Sequence, residues 1–176
     1  MGLTNEKSLQ EIIKLYNLCF DCNSFCDRVA YIISVKYDMI EFGNWFHHSI
    51  AHAFTGDNFA DGIESFGELR GDLFYRGNVP EHSENYQKFS DCFEAFVFMV
   101  SEIQKQTLIA IDECIKNRDV AYEDFLREFN VKNVTVMLKQ AITLYRIIGE
   151  YEKNNALYKW NVDYKNWVLP EFKGVD

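Results

Sequence analysis

Histidines and acidic residues concentrate in one stretch of the chain, between Asn44 and Gly77. Three of the four histidines lie there, together with the most regularly spaced carboxylates of the sequence. Imidazole and carboxylate groups together bind borderline divalent ions and leave positions open for oxygen or peroxide. The stretch therefore predicts a transition-metal site, with no catalytic residue besides the metal ligands and no other cofactor-binding residue.

The candidate ligands lie on the outer faces of two predicted helices. One line of the first helix carries Trp45 and two histidines, displaced by roughly 100–160° from its apolar stripe. The acids of the next helix recur at three- and four-residue steps, opposite its apolar face. The predicted metal ligands are His48, His52, Asp61, Glu64 and Glu68. All of them point out of their own bundle, and none is aimed at its interior.

The same pattern has a plain alternative. An acidic stripe opposite an apolar one is typical of any solvated helix face, and histidines at i and i+4 occur on outer faces without metal. A degenerate or metal-free site is therefore the competing hypothesis. His47 lies on neither line, so we expect it to be a hydrogen-bonded structural residue, and His82 is expected to be exposed.

Helical periodicity extends over four long segments, which few glycines and only two prolines interrupt. The predicted elements are a first segment over residues 5–20, a break near Asn23-Ser24, a helix from about Phe25 to Phe54, a turn at Thr55-Gly56-Asp57, an antiparallel helix from about Asn58 to Arg76, a crossover from Gly77, a helix from about Glu84 to Lys116, and a helix over Val120 to Asn154 with a local interruption near Phe129–Val131. An aromatic tail follows, which we expect to pack on the bundle or on a neighbouring subunit.

These segments predict an all-α protein: a four-helix bundle with an extra N-terminal helical segment and an aromatic C-terminal tail. The 176 residues suit a single domain, 1–176, with its core bundle at about 25–154. Trp45 on an outer face indicates a covered surface, so we expect a homodimer or a larger homo-oligomer.

Charge and cysteine content limit the classes of partner. A net charge of −9 argues against general electrostatic binding to nucleic acid or to an anionic membrane. Cations are the binding partners that this charge favours. The sequence shows neither an apolar run of about 20 residues nor a secretory signal. We expect no membrane or nucleic-acid partner and a cytoplasmic location.

Five cysteines do not form a disulfide framework, so we expect them to be reduced. Cys19, Cys22 and Cys26 would share one helical face, where a metal or redox role is one interpretation. The other interpretation is that they pack as small buried hydrophobic residues.

The pattern resembles the ferritin-like superfamily, and most closely its small-ferritin branch, the DNA-protection-during-starvation (Dps) proteins. The resemblance lies in His52, Gly56 and the pair Asn58-Phe59. They are similar to the family's histidine near the end of the first helix, its glycine-containing turn, and the Asn-Phe pair that opens its second helix. The fold that it implies is a ferritin-like four-helix bundle.

The resemblance also implies a function. Dps proteins build a di-iron ferroxidase site between two subunits, oxidise iron, store it as ferric mineral in a hollow oligomer, and protect against oxidative stress. The metal site here is divergent, since Glu64 would replace the family's second histidine, and the Glu-x-x-His motif of other ferritin branches does not occur. The alternative function is a ferritin-like assembly or binding module that has lost the di-iron site.

Overall fold

The computed structural model describes residues 2–174, in which every regular element is a helix or a helical turn and no strand occurs. Four long helical columns and a C-terminal segment make up the fold. The elements are α1 (Glu6–Lys36), α2 (Ile40–Trp45), a π-helical turn (Phe46–Ala51), a 3-10 turn (His52–Thr55), α3 (Ala60–Leu69), α4 (Phe89–Lys116), α5 (Val120–Phe129), a second π-helical turn (Asn130–Val134), α6 (Thr135–Lys153), and a C-terminal segment with 3-10 turns at Leu157–Lys159, Tyr164–Trp167 and Pro170–Phe172 around α7 (Trp160–Asp163). The prediction of an all-α four-helix bundle is confirmed.

The first column is one continuous helix of 31 residues. Its predicted break at Asn23-Ser24 is wrong, and the expected extra N-terminal segment is the first half of α1. The break was expected because asparagine favours helix caps, but the side-chain amide of Asn23 donates instead to the backbone oxygen of Ala51, 2.8 Å away on the second column. The helix ends before Asp38, whose φ of 53° turns the chain back. The predicted helix from about Phe25 to Phe54 is therefore wrong, because its first part belongs to α1 and its second part to the next column.

The second column comprises α2, the first π-helical turn, the 3-10 turn and α3, and it runs antiparallel to α1 along its whole length. Gly43 lies against Ser34 near the end of α1, where a Cβ on the glycine would come within 2.0 Å of the serine hydroxyl oxygen. At the other end, the hydroxyl of Tyr16 donates to the Glu64 carboxylate over 2.9 Å. Glycine thus permits the close approach of the two helices.

The predicted reversal at Thr55-Gly56-Asp57 is wrong. Gly56 adopts an extended backbone (φ −87°, ψ −171°) that interrupts the helix, and α3 then continues in the same direction. Phe54 and Phe59 flank the interruption and are both buried, with ring centroids 5.0 Å apart. Their shared burial keeps the column on the core, so the interruption does not reverse the chain.

The crossover between the second and third columns is longer than predicted and spans residues 70–88. The column ends at Leu69, not Arg76, and Gly71 then takes the left-handed conformation (φ 74°). The crossover follows α1 from its beginning to its end, held by the Asn17 side chain, which accepts from the Gly77 N–H over 2.7 Å, and by Lys36, which donates to the Tyr86 oxygen over 2.6 Å.

The third column, α4, begins at Phe89, five residues after its predicted start at Glu84. Its first free N–H groups belong to Phe89 and Ser90, and both donate to the carboxylate of Glu152 on α6, over 2.9 and 3.3 Å. This cap comes from a distant part of the chain. The predicted cap, Ser83, lies in the crossover.

The fourth column matches its prediction closely. Asp119 caps its first residues by accepting from the Tyr122 N–H over 3.2 Å, and the column ends at Lys153. The second π-helical turn, at Asn130–Val134, lies where an interruption was expected.

The core between the columns is apolar and rich in phenylalanine. Among the described residues, the only buried polar or charged ones are Ser8, Asp72, Thr107 and Gln140. Aromatic rings form its central layers through edge-to-face contacts, such as the one between Phe46 and Phe96 at 5.3 Å. No helix within residues 2–174 has the length and apolar character needed to cross a bilayer.

The C-terminal segment packs on its own bundle. The buried amide of Gln140 donates to the Trp167 oxygen over 3.1 Å and accepts from the Leu169 N–H over 2.7 Å. Trp160 is fully buried. The indole N–H of Trp45 donates to the Phe172 oxygen over 3.0 Å. Trp45 is partly covered by its own chain and partly exposed, so its place in a subunit interface stays a prediction, as does self-association.

Candidate metal site

A π-helical turn brings three histidines together on the outer face of the second column. In an α-helix, His47 and His52 would be separated by about 140° around the axis. Here the backbone N–H of His52 donates to the oxygen of His47, a bond across five residues that brings the two side chains to one face. Their ring centroids lie 4.3 Å apart, and that of His48 lies 4.9 Å from the first and 5.4 Å from the second.

These three residues, His47, His48 and His52, form what we call the histidine cluster. One ring nitrogen from each lies within 4.8 Å of the others. The side chain of His47 is 39% exposed, and the other two histidines are exposed. The cluster is therefore open to ions from solvent, and three imidazoles are a ligand set for transition metals.

The neighbouring helix α1 fixes the orientation of one ring. Nδ1 of His47 donates to the carboxylate of Asp27 over 2.9 Å. Metal-binding histidines commonly make this kind of bond through the nitrogen that does not bind the metal, which sets the tautomer and raises the basicity of the other nitrogen. Nε2 of His47 is thus available to the cluster. The bond from Asn23 to Ala51 holds α1 to the same turn.

The predicted carboxylate ligands lie elsewhere on the same column. Asp61, Glu64 and Glu68 follow His52 by nine to sixteen residues, which corresponds to about 13–24 Å along a helix. The separation arises because the chain does not reverse at Gly56. Within the described part of the chain, the histidine cluster is the group of ligand-type side chains that converges. One chain therefore brings His48 and His52 together but leaves the three carboxylates apart from them.

The carboxylates also differ in what they contact. Asp61 and Glu68 are exposed, whereas Glu64 is partly buried and accepts the hydrogen bond from Tyr16 of α1. That bond and the burial of the ring raise the pKa of Tyr16 to about 12, with burial the larger cause. Glu64 thus has a structural partner within its own bundle.

The sequence pattern did not predict His47 as a member of the cluster. The hydrogen bond expected for His47 is present, with Asp27 as the partner. The missed signal is a strict four-residue repeat of fully buried residues: Phe42, Phe46, Ile50 and Phe54. At 100° per residue, such a repeat drifts by about 40° at every step, so it stays on one face only where the helix is underwound. The repeat therefore contained evidence for a π-helical turn at the histidines.

The bundle interior does not fit a di-iron centre. Ferritin-like di-iron proteins project glutamates and Glu-x-x-His motifs into the core. Among residues 2–174, the one buried carboxylate belongs to Asp72, beyond the end of α3, where it accepts from the hydroxyl of Thr4 over 2.5 Å. The layers between the helices are filled by apolar side chains instead, so the interior formed by the described residues offers no di-iron ligand set.

The five cysteines are free and buried. Burial raises the pKa of the Cys92 thiol to about 12 and that of Cys114 to about 11. It also raises the pKa values of Cys19, Cys22 and Cys26. A thiol that stays protonated is a poor metal ligand and nucleophile. The structure thus favours the packing role over the metal or redox role.

Comparison with known proteins relates the fold to solved structures. No protein-family model and no curated protein sequence matches the chain. A humanized archaeal ferritin superposes with a TM-score of 0.79 at 16% identity, over 97% of this chain and 99% of that one. An Archaeoglobus fulgidus ferritin engineered into a closed form gives 0.79 at 17%, over 97% and 99%.

The open-pore ferritin of the hyperthermophilic archaeon Archaeoglobus fulgidus gives a TM-score of 0.78 at 17% identity, over 96% of this chain and 99% of that one. The superposition covers nearly the whole of both chains, including the long crossover. At this level of identity, the likeness concerns the arrangement of the helices. The chain has the ferritin-like fold.

Proposed function

We propose that this ferritin-like chain binds a divalent transition-metal ion at the histidine cluster. The observation that carries the proposal is the convergence of three ligand nitrogens within 4.8 Å on an exposed face. Imidazole suits iron, nickel, copper and zinc. The chain's net charge of −9 adds a general attraction for cations.

A more specific form of the proposal is iron oxidation and storage of the Dps kind, with protection against oxidative stress. In this form, iron is the cargo, and ferroxidase activity arises between subunits of a cytoplasmic homo-oligomer that does not bind nucleic acid. A second copy would have to bring Asp61 and Glu68 to His48 and His52, because the interior offers no ligands. The exposure of all four residues supports this form.

The second candidate is a ferritin-like assembly or binding module that has lost the di-iron site and needs no metal. The observation in its favour is the apolar interior, in which phenylalanine and cysteine fill the layers between the helices. In this case the histidines and acids are solvated surface groups, and removing them changes the free energy of unfolding by no more than about 0.5 kcal/mol.

Metal retention after gel filtration tests the proposal. Purified protein is incubated with Zn(II), Co(II) or anaerobic Fe(II), separated from free ion, and its metal content is measured. We expect roughly one ion per chain for wild type and none for His48→Ala/His52→Ala. His82→Asn is the matched control, since it removes the fourth histidine, which lies in the crossover and donates to Asp21. A wild type that retains no metal would support the metal-free module.

The iron-specific form needs a separate assay. Fe(II) is added anaerobically, oxygen or peroxide follows, and the ferric-oxo absorbance is recorded with the sedimentation coefficient of the protein. We expect oxidation faster than in buffer, by an oligomer, and its loss in Asp61→Asn/Glu68→Gln. Metal binding by a monomer that oxidises iron no faster than buffer would refute this form and leave the broader proposal standing.

A further inference from the structure

The geometry points to a complete three-imidazole site within one chain, which we infer selects late first-row ions of the zinc and copper type over iron(II). This inference rests on the proposed function, because it specifies the ion that the same cluster takes. It requires all three histidines as ligands of one ion and assigns Asp27 as a positioning residue. It also removes the need for a partner subunit.

The composition of the cluster carries the selectivity. Sites for non-haem iron(II) typically combine two histidines with one carboxylate. Here the converging group contains three histidines and no carboxylate among the described residues. The nearest acid, Asp27, is already the acceptor of the His47 Nδ1 bond. Three neutral imidazoles with a fourth position open to water match the ligand set of a three-histidine zinc site.

The dimensions of the cluster suit one small ion. Ligand nitrogens at 2.0–2.1 Å from zinc lie about 3.4 Å from one another in tetrahedral geometry. The cluster nitrogens already lie within 4.8 Å of each other. His48 and His52 are exposed, so rotation of their side chains closes the remaining gap, while Asp27 holds the third ring in place.

The backbone supports the same assignment. The π-helical turn provides the bond between His52 and His47 that aligns their side chains, and such turns are frequent at functional sites. An ion that is held by both His47 and His52 can bind only while the backbone keeps the π-helical turn that brings the two side chains together. Metal binding should therefore stabilise the folded protein by an amount that grows with the logarithm of the ion's affinity.

The affinity of a nitrogen site for divalent ions rises in the order Mn, Fe, Co, Ni, Cu, and the affinity for zinc lies below that for copper. A site of three nitrogens has no carboxylate oxygen that could raise its low affinity for iron(II). We therefore expect zinc and copper to bind at least about tenfold more tightly than iron(II).

Competition with a chromophoric chelator tests the inference on the full chain at pH 7, with Zn(II), Cu(II), Co(II) and anaerobic Fe(II). The variants are His47→Ala, His48→Ala, His52→Ala, the double carboxylate variant Asp61→Asn/Glu68→Gln, and His82→Asn as control. We expect each cluster variant to weaken zinc binding by at least about tenfold, with no change in the carboxylate variant or the control. Circular dichroism confirms that each variant is folded. Bound Co(II) should show the intense visible absorption of a tetrahedral site in wild type, the carboxylate variant and the control, and not in the three cluster variants.

The outcomes separate this inference from the proposed function. If no ion binds wild type, both fail. If ions bind but His47→Ala binds as tightly as wild type, or the carboxylate variant loses binding, the proposed function stands and the one-chain site is wrong. Iron(II) binding as tight as zinc would likewise refute the selectivity while leaving metal binding in place.

Discussion

Asp27 on α1 holds the imidazole of His47 on the second column through a 2.9 Å hydrogen bond to Nδ1. A second pair of the same chemistry lies elsewhere on α1, where Asp21 accepts from His82 over 2.6 Å. Both pairs join an aspartate of α1 to a histidine of another segment, but only the first belongs to a cluster of three imidazoles.

Replacing Asp27 by asparagine should weaken zinc binding by about 10–100-fold, because the ring loses its carboxylate partner and the basicity that the partner confers. Asp21→Asn makes the same change of charge on the same helix and should leave zinc affinity unchanged. Chelator competition measures both. Equal losses in the two variants would show that general charge, not ring orientation, controls binding.

Replacing Gln140 by leucine should loosen the C-terminal segment. The amide holds one backbone oxygen and one backbone N–H of that segment, and each buried group left without a partner costs about 1–3 kcal/mol. All three tryptophans, Trp45, Trp160 and Trp167, lie in or against this segment, so tryptophan fluorescence in urea reports the change.

The control for that experiment is Gln10→Leu, at an exposed position of α1. Its free energy of unfolding should stay within about 0.5 kcal/mol of wild type. An unfolding midpoint of Gln140→Leu equal to that of wild type would mean that the segment is anchored by its aromatic contacts alone.

The five cysteines should be unreactive in the folded protein. Burial raises the pKa of Cys92 to about 12 and of Cys114 to about 11, so the reactive thiolate is scarce at pH 8. A chromogenic disulfide reagent should detect almost no thiol in native protein and all five after denaturation in urea. Rapid reaction of Cys19, Cys22 or Cys26 in the native state would support a metal or redox role for these residues instead.

The burial of Tyr16, together with its contact with Glu64, should make stability fall in alkali. The pKa of Tyr16 is raised from its usual value near 10 to about 12 in the folded state. Its proton is therefore lost first from the unfolded chain, and the stabilisation, complete below pH 10, disappears as the pH rises towards 12. The loss amounts to about 2–3 kcal/mol.

Urea unfolding from pH 9 to 12 measures this loss. Tyr16→Phe should show a shallower fall than wild type, whereas Tyr158→Phe, at a residue that is 79% exposed, should follow wild type. Identical curves for all three proteins would place the alkaline loss in other groups.

Helical periodicity was sufficient to predict the all-α class and the third and fourth columns, because apolar residues at helical spacing must face a common core. The first two columns were divided wrongly, since the predicted helix from about Phe25 to Phe54 runs through the reversal that follows Lys36. The boundaries depended on acceptors that are distant in sequence. Asn23 bonds across to Ala51 and leaves α1 unbroken, and Glu152 caps α4 from another column. Local cap preferences cannot reveal such partners.

The candidate site was only partly predictable for a related reason. His48 and His52 were placed on one face correctly, because four residues make about one turn in either kind of helix. His47 was excluded, and the carboxylates of α3 were brought opposite the histidines, because an ordinary helix was assumed up to Gly56 and a reversal after it. Neither assumption holds in the fold.

Counted along the chain, a π-helical turn is an insertion of one residue that leaves the flanking apolar positions buried. When this chain is aligned with a relative whose helix is uninterrupted, the residue correspondence therefore shifts by one position within the histidine cluster, even where the two cores superpose. Deleting one residue between His48 and His52 would restore ordinary winding and set His47 four residues before His52, so the two side chains would still share one face. In relatives of this chain, histidines four residues apart in an ordinary helix would therefore be equivalent to His47 and His52, which are five residues apart across the π-helical turn.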